Sequence, residues 1–137
     1  MVRVPLIPAR YLVIAFLFML TTRFLLAQQL GPRDIDALPA SEPTVVQHYG
    51  PDALQFGELR LPAGRGPFPV AVVIHGGCWT KGLATCRNTA PIASDLTKSG
   101  IATWNIEYRE VGDAGGGWPG TFLDWGAAVD DLRPPHR

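Results

Sequence analysis

The run V-A-V-V-I-H-G-G-C-W at residues 70–79 constrains this chain more than any other segment. An unbroken Val/Ile run that stops abruptly predicts a strand buried on both faces, as in a parallel sheet. The two glycines at its end permit a sharp turn that aims backbone N–H groups into open space. Acyl-transfer chemistry uses such a corner to hold a developing oxyanion. Read from the residues alone, Gly76 and Gly77 fit a plain strand-to-loop turn equally well.

The chain has 137 residues, enough for one domain. Lys+Arg and Asp+Glu each number 12, so there is no net charge and no nucleic-acid partner is expected. Residues 1–27 read as a targeting segment. Arg3 and Arg10 supply positive charge, residues 11–20 are apolar, and Ala27 offers a small residue before Gln28. That order is expected of a cleaved secretory signal, with an uncleaved membrane anchor as the alternative. Arg23 interrupts the apolar stretch, which is short for a span of roughly 20 residues. The expected location is therefore exported, periplasmic or extracellular, and membrane-anchored if the leader stays on. Export bears on Cys78 and Cys86, the only two cysteines. In an oxidising compartment they can form a disulfide; otherwise they are two half-buried thiols. A zinc site from His75, Cys78 and Cys86 lacks a fourth ligand, so no metal and no cofactor is expected.

Residues 28–43 read as a linker. Residues 44–49 and 54–61 predict two strands joined at Gly50-Pro51-Asp52. In the second, Leu59 and Leu61 alternate with Glu58 and Arg60, so one face can be wet. Asn88 is placed to cap a helix over 90–98, with Ile92, Ala93 and Leu96 at helical spacing and Gly100 as its stop. Residues 101–108 predict the next strand. A glycine-rich loop spans 109–120, and Thr121 is placed to cap a last helix with Phe122, Trp125, Val129 and Leu132 near one face. Strand, helix, strand, helix argues an α/β fold with a parallel pair.

Three segments together resemble the α/β-hydrolase fold in its esterase/lipase branch. They are V-V-I-H-G-G-C-W at 72–79, G-I-A-T-W-N-I-E-Y-R at 100–109 and G-G-G-W-P-G-T-F-L-D at 115–124. The resemblance covers residues 44–132. The His-Gly-Gly-x-Trp form is similar to small-molecule esterases, including feruloyl-esterase-like and kynurenine-formamidase-like enzymes. It implies a partial, mostly parallel sheet with an N-terminal antiparallel hairpin, besides a hydrophobic leader helix. It also implies that Gly77 and Cys78 lend N–H groups to an oxyanion hole, with Gly76 enabling the turn. Each such donor is worth about 3–4 kcal/mol in the transition state. His75 is expected to orient the loop by hydrogen bonding, since the family's base lies much later in the chain. Trp79 is expected beside the pocket mouth and Trp104 in the core. Trp118 and Pro119 shape the glycine loop, either as plain architecture or at a pocket border. That loop carries no Gly-Lys-Ser/Thr and is not a phosphate cradle. Glu107 and Arg109 are expected to form a structural ion pair, and Asp130 and Asp131 a solvated helix face.

Ester hydrolysis of this class needs a serine on a sharp elbow, a histidine base and an orienting acid. No Gly-x-Ser-x-Gly occurs in the 137 residues; the serines are Ser41, Ser94 and Ser99. His136 follows two prolines near the end. The resemblance therefore implies an N-terminal part of a hydrolase domain, residues 44–137, with no catalytic residue of the triad. Its substrate in the intact family is a small-molecule ester. The strand at 70–74 would then be an exposed apolar edge, prone to self-association. The alternatives are a non-catalytic secreted or tethered binding module, or one half of a split hydrolase.

Overall fold

The computed structural model describes residues 31–133; the leader and His136 lie outside them. Four strands form one sheet: β1 (Val45–His48), β2 (Phe56–Arg60), β3 (Val70–Ile74) and β4 (Ala102–Ile106), in the order β1-β2-β4-β3. Helices α1 (Pro32–Asp36), α2 (Cys86–Lys98) and α3 (Gly120–Asp130) accompany it. The short helix α1 lies within the segment read as a linker. That segment is tied to α2, where the Ser41 N–H donates to Ser94 Oγ at 2.7 Å.

The mixed α/β fold and the N-terminal hairpin are as expected, but the sheet is not mostly parallel. Only β3 and β4 pair in parallel, while β1–β2 and β2–β4 are antiparallel. Connection length explains the split. The connection at 49–55 between β1 and β2 holds no helix and reverses the chain, whereas the α2 crossover between β3 and β4 returns it in the same direction.

The centre of the fold is β4, whose five residues are all buried. Its side chains alternate between two layers. Thr103 and Asn105 face α2: Asn105 Nδ2 donates to the Cys86 carbonyl at 2.7 Å, and Thr97 and Thr103 hydroxyls lie 3.1 Å apart. Trp104 and Ile106 face α3 and pack with Ala128, Tyr49, Leu59 and Trp125. The Trp104 indole N–H donates to the Ala128 carbonyl at 2.9 Å, so the buried ring keeps its polar atom satisfied.

In β3, Val70, Val72 and Ile74 are 53%, 36% and 40% exposed. The run is not buried on both faces: Ala71 and Val73 are half-buried on one face, while the face carrying Val70, Val72 and Ile74 is left open. Helix α2 starts earlier than its apolar spacing implied. Thr85, not Asn88, is the N-cap, and Asn88 completes a capping box by accepting the Thr85 N–H at 2.8 Å. Ile92 is exposed; Ala90, Ala93 and Ser94 form the buried face. In α3 the buried face is Thr121, Asp124 and Ala128; Val129, and Leu132 beyond the helix end, are exposed. Arg60 is buried rather than wet, held by Glu58 at 2.8 Å and by the Ser41 carbonyl at 3.0 Å.

Candidate functional site

The chain leaves β3 through His75 and turns at Gly76 and Gly77. Gly77 adopts φ +107°, open to glycine and strained for other residues. Cys78 and Trp79 follow at φ +53° and +56°, an uncommon conformation for residues with a Cβ. The turn closes where the Thr80 N–H donates to the Gly77 carbonyl at 3.0 Å. Among the described residues, the N–H groups of Gly77 and Cys78 donate to nothing. An apolar cavity of about 310 Å³ lies against the corner, lined by Ile35, Gly76, Gly77, Leu83, Ala84 and Asn88.

His75 is 3% exposed. Its Nε2 lies 2.7 Å from Glu107 Oε1 and its Nδ1 lies 3.0 Å from the Gly76 carbonyl. Both ring nitrogens face acceptors, so only the imidazolium satisfies both. Burial alone would lower its pKa, but the Glu107 hydrogen bond and charge reverse this and raise it above 6.5. Glu107 responds in the opposite sense. Burial would raise its pKa, yet the bonds from His75 and from the Cys86 and Tyr108 N–H groups bring it below 4.5. The His75 ring also stacks on Tyr108 at 4.2 Å, and the Tyr108 hydroxyl donates to the His75 carbonyl at 2.7 Å. Burial and the nearby carboxylates push that phenol up to about 12, so it stays a donor.

The expected pair between Glu107 and Arg109 is not formed. In the segment just past β4 the two side chains reach different neighbours: Glu107 meets His75, and Arg109 meets Asp124 in a fork at 2.9 and 2.6 Å. Cys78 is an exposed free thiol at the corner, whereas Cys86 is buried at the first residue of α2 with its pKa raised by burial. Trp79 meets Phe122 and Trp125 edge-on, with centroids 5.0 and 6.0 Å apart. Trp118 is largely exposed and touches Phe122. The glycines of the 109–120 loop serve close packing: a Cβ on Gly116 would fall 2.0 Å from the Glu110 carbonyl oxygen.

Ser94 is buried inside α2 and Ser99 caps its C-terminus; Ser41 is bonded to Ser94. None sits on a strand-to-helix elbow. Among the described residues no group of three or more His, Cys, Asp or Glu could hold a metal ion. Residues missed by sequence reasoning are Asp124, which gathers Arg109 and Gln55, and Asp113, which reaches Lys81. No local pattern marked either one.

A family model described as BD-FAE matches residues 58–134, more than half of the chain and including the whole glycine corner. The chain belongs to the BD-FAE family. It is thus part of an esterase/lipase-like α/β hydrolase. It is 34% identical over 89 residues to versiconal hemiacetal acetate esterase of Dothistroma septosporum (strain NZE10 / CBS 128990), covering 64% of this chain and 26% of that protein. Its fold is similar to esterase B from Lactobacillus Rhamnosis (HN001), with a TM-score of 0.54, 23% identity, and coverage of 85% of this chain and 36% of the other. A bacterial heroin esterase aligns at a TM-score of 0.51 and 24% identity, over 84% of this chain and 34% of that one. At those identities the structural likeness speaks for the fold alone. The chain spans about a quarter of the curated relative's length.

Proposed function

We propose that this chain supplies the oxyanion corner of a serine carboxylic-ester hydrolase, with the Gly77 and Cys78 N–H groups as donors. The observation that carries the reading is the pair of unbonded N–H groups at the C-terminal end of β3. His75 holds the corner from beneath through Glu107, and Trp79 borders it. Relatives named as esterases support an ester as substrate, cleaved through an acyl-serine intermediate. The serine, base and acid have no counterpart in these residues, so the 137-residue polypeptide alone is inactive. The export reading rests on the leader's sequence pattern.

Two measurements test this. The purified chain is expected to hydrolyse p-nitrophenyl acetate no faster than buffer; a rate above buffer that disappears with Gly77→Val overturns the inactivity. A hybrid in which residues 58–134 replace the matching segment of an active family esterase is expected to hydrolyse the ester. Gly77→Val in that hybrid is expected to lower kcat by about 100-fold or more. A hybrid indifferent to this change removes the corner from the chemistry.

The exposed apolar edge of β3 favours a second reading, in which β3 pairs with another β-segment. Self-association through this edge is the form testable with the chain alone. Light scattering is expected to find oligomers that Val72→Lys disperses; oligomers unchanged by that substitution place the contact elsewhere.

A further inference from the structure

The corner carries strain that something must hold. Left-handed backbone at non-glycine residues costs of order 1–3 kcal/mol per residue and persists only where the surroundings over-determine it. Cys78 and Trp79 both adopt it. The backbone bonds that reach the loop from outside it come from one short segment, the turn at 110–113. The Val111 N–H donates to the Trp79 carbonyl at 2.7 Å, and the Lys81 N–H donates to the Val111 carbonyl at 3.2 Å. Asp113 joins the two segments by side chain. Its Oδ1 takes Lys81 Nζ at 2.6 Å, while its Oδ2 accepts the Glu110 N–H at 3.0 Å and closes the turn. The Asp113 side chain is 8% exposed, so this anchor is shielded although Lys81 is not.

We propose that the 110–113 turn is a clamp that holds the 77–82 loop in its left-handed form, with Asp113 as its positioning residue. The inference rests on the reading of Gly77 and Cys78 as oxyanion donors for its consequence in catalysis, but not for the clamp itself. Without the clamp, Cys78 and Trp79 relax toward extended backbone, and the Gly77 and Cys78 N–H groups lose their shared orientation. Trp79, pinned by its ring contacts, limits the movement from the other side.

Amide hydrogen exchange on the full chain tests the clamp without any need for ester turnover. Asp113→Ala is expected to speed exchange at Thr80, Lys81 and Val111 by about tenfold or more while leaving β4 protected, the order expected when local anchoring but not the core is lost. Asp113→Asn, which keeps an acceptor for the Glu110 N–H, is expected to restore part of the protection. Cys78→Gly relieves strain and is expected to blunt the effect of Asp113→Ala. Exchange unchanged at those three amides, or raised equally in β4, overturns the clamp. If Asp113→Ala does not fold, Lys81→Met at the exposed end of the pair serves: faster exchange at Thr80 and Val111 supports the clamp and unchanged exchange overturns it. In the hybrid esterase, Asp113→Ala is expected to lower kcat with little change in KM. If exchange rises while kcat holds, the clamp stands and the oxyanion reading fails.

Discussion

Glu107→Ala is expected to cost about 3–5 kcal/mol, enough to unfold most of the population of a marginally stable domain. The carboxylate is buried and accepts three bonds, from His75 Nε2, the Cys86 N–H and the Tyr108 N–H. Its removal leaves His75 Nε2 and the first N–H of α2 without their acceptor, among buried residues. Urea unfolding monitored by circular dichroism reads the loss as a lower midpoint with an unchanged slope. The pair also gives stability a pH optimum. Glu107 titrates below its ordinary 4.5, so its contribution is complete above that value and fades as pH falls through the folded pKa. His75 titrates above 6.5, so its contribution is complete below that value and fades as pH rises through the folded pKa. Both are complete between 4.5 and 6.5, where this pair stabilises most. Glu107→Ala is expected to flatten that maximum. A variant that keeps the wild-type pH profile contradicts the assignment.

Asp124→Ala is the second large effect, expected at about 3–4 kcal/mol by the same reasoning. Asp124 is 1% exposed on the inner face of α3. Its Oδ1 accepts from Gln55 Nε2 at 2.7 Å and from Arg109 Nη2 at 2.6 Å. Its Oδ2 takes Arg109 Nε at 2.9 Å and the Arg109 N–H at 3.1 Å. One carboxylate thus joins α3 to the segment that follows β4 and to the residue before β2. The Arg109 guanidinium is partly exposed and recovers some hydration, whereas Gln55 stays buried, which places the effect slightly below that of Glu107. Asp124→Asn keeps one acceptor without the charge and is expected to lose roughly half as much. The Asp124 pKa is lowered despite its burial, by the bonds from Arg109 and Gln55. Its contribution therefore disappears as pH falls through the folded value, and Asp124→Ala is expected to reduce acid sensitivity. Wild-type urea midpoints in both variants contradict the role given to this carboxylate.

The glycine corner, the strand before it and the alternation of strands and helices were legible because they depend on local chemistry. A β-branched run, two consecutive glycines and a helix stop at Gly100 restrict the backbone wherever they occur. The resemblance of three ordered segments then pointed to the esterase/lipase-like α/β hydrolases, and the BD-FAE match agrees with it. Partner choice was not legible in the same way. Glu107 and Arg109 look paired in sequence, but they bind residues 32 positions back and 15 positions on. Arg60 reads as a wet strand residue and is buried under Ser41. The inner face of α3 is Thr121, Asp124 and Ala128 because the sheet offers it Trp104 and the Arg109 fork, not because of its own apolar spacing.

By itself, then, the sequence determined where the backbone must bend and where strands must form, since φ restriction and side-chain branching act within a residue or two. Tertiary packing decided which way the sheet runs at β2 and which carboxylate holds which cation. Those outcomes depend on which distant groups burial brings within about 3 Å of one another, and no local spacing along the chain encodes that distance.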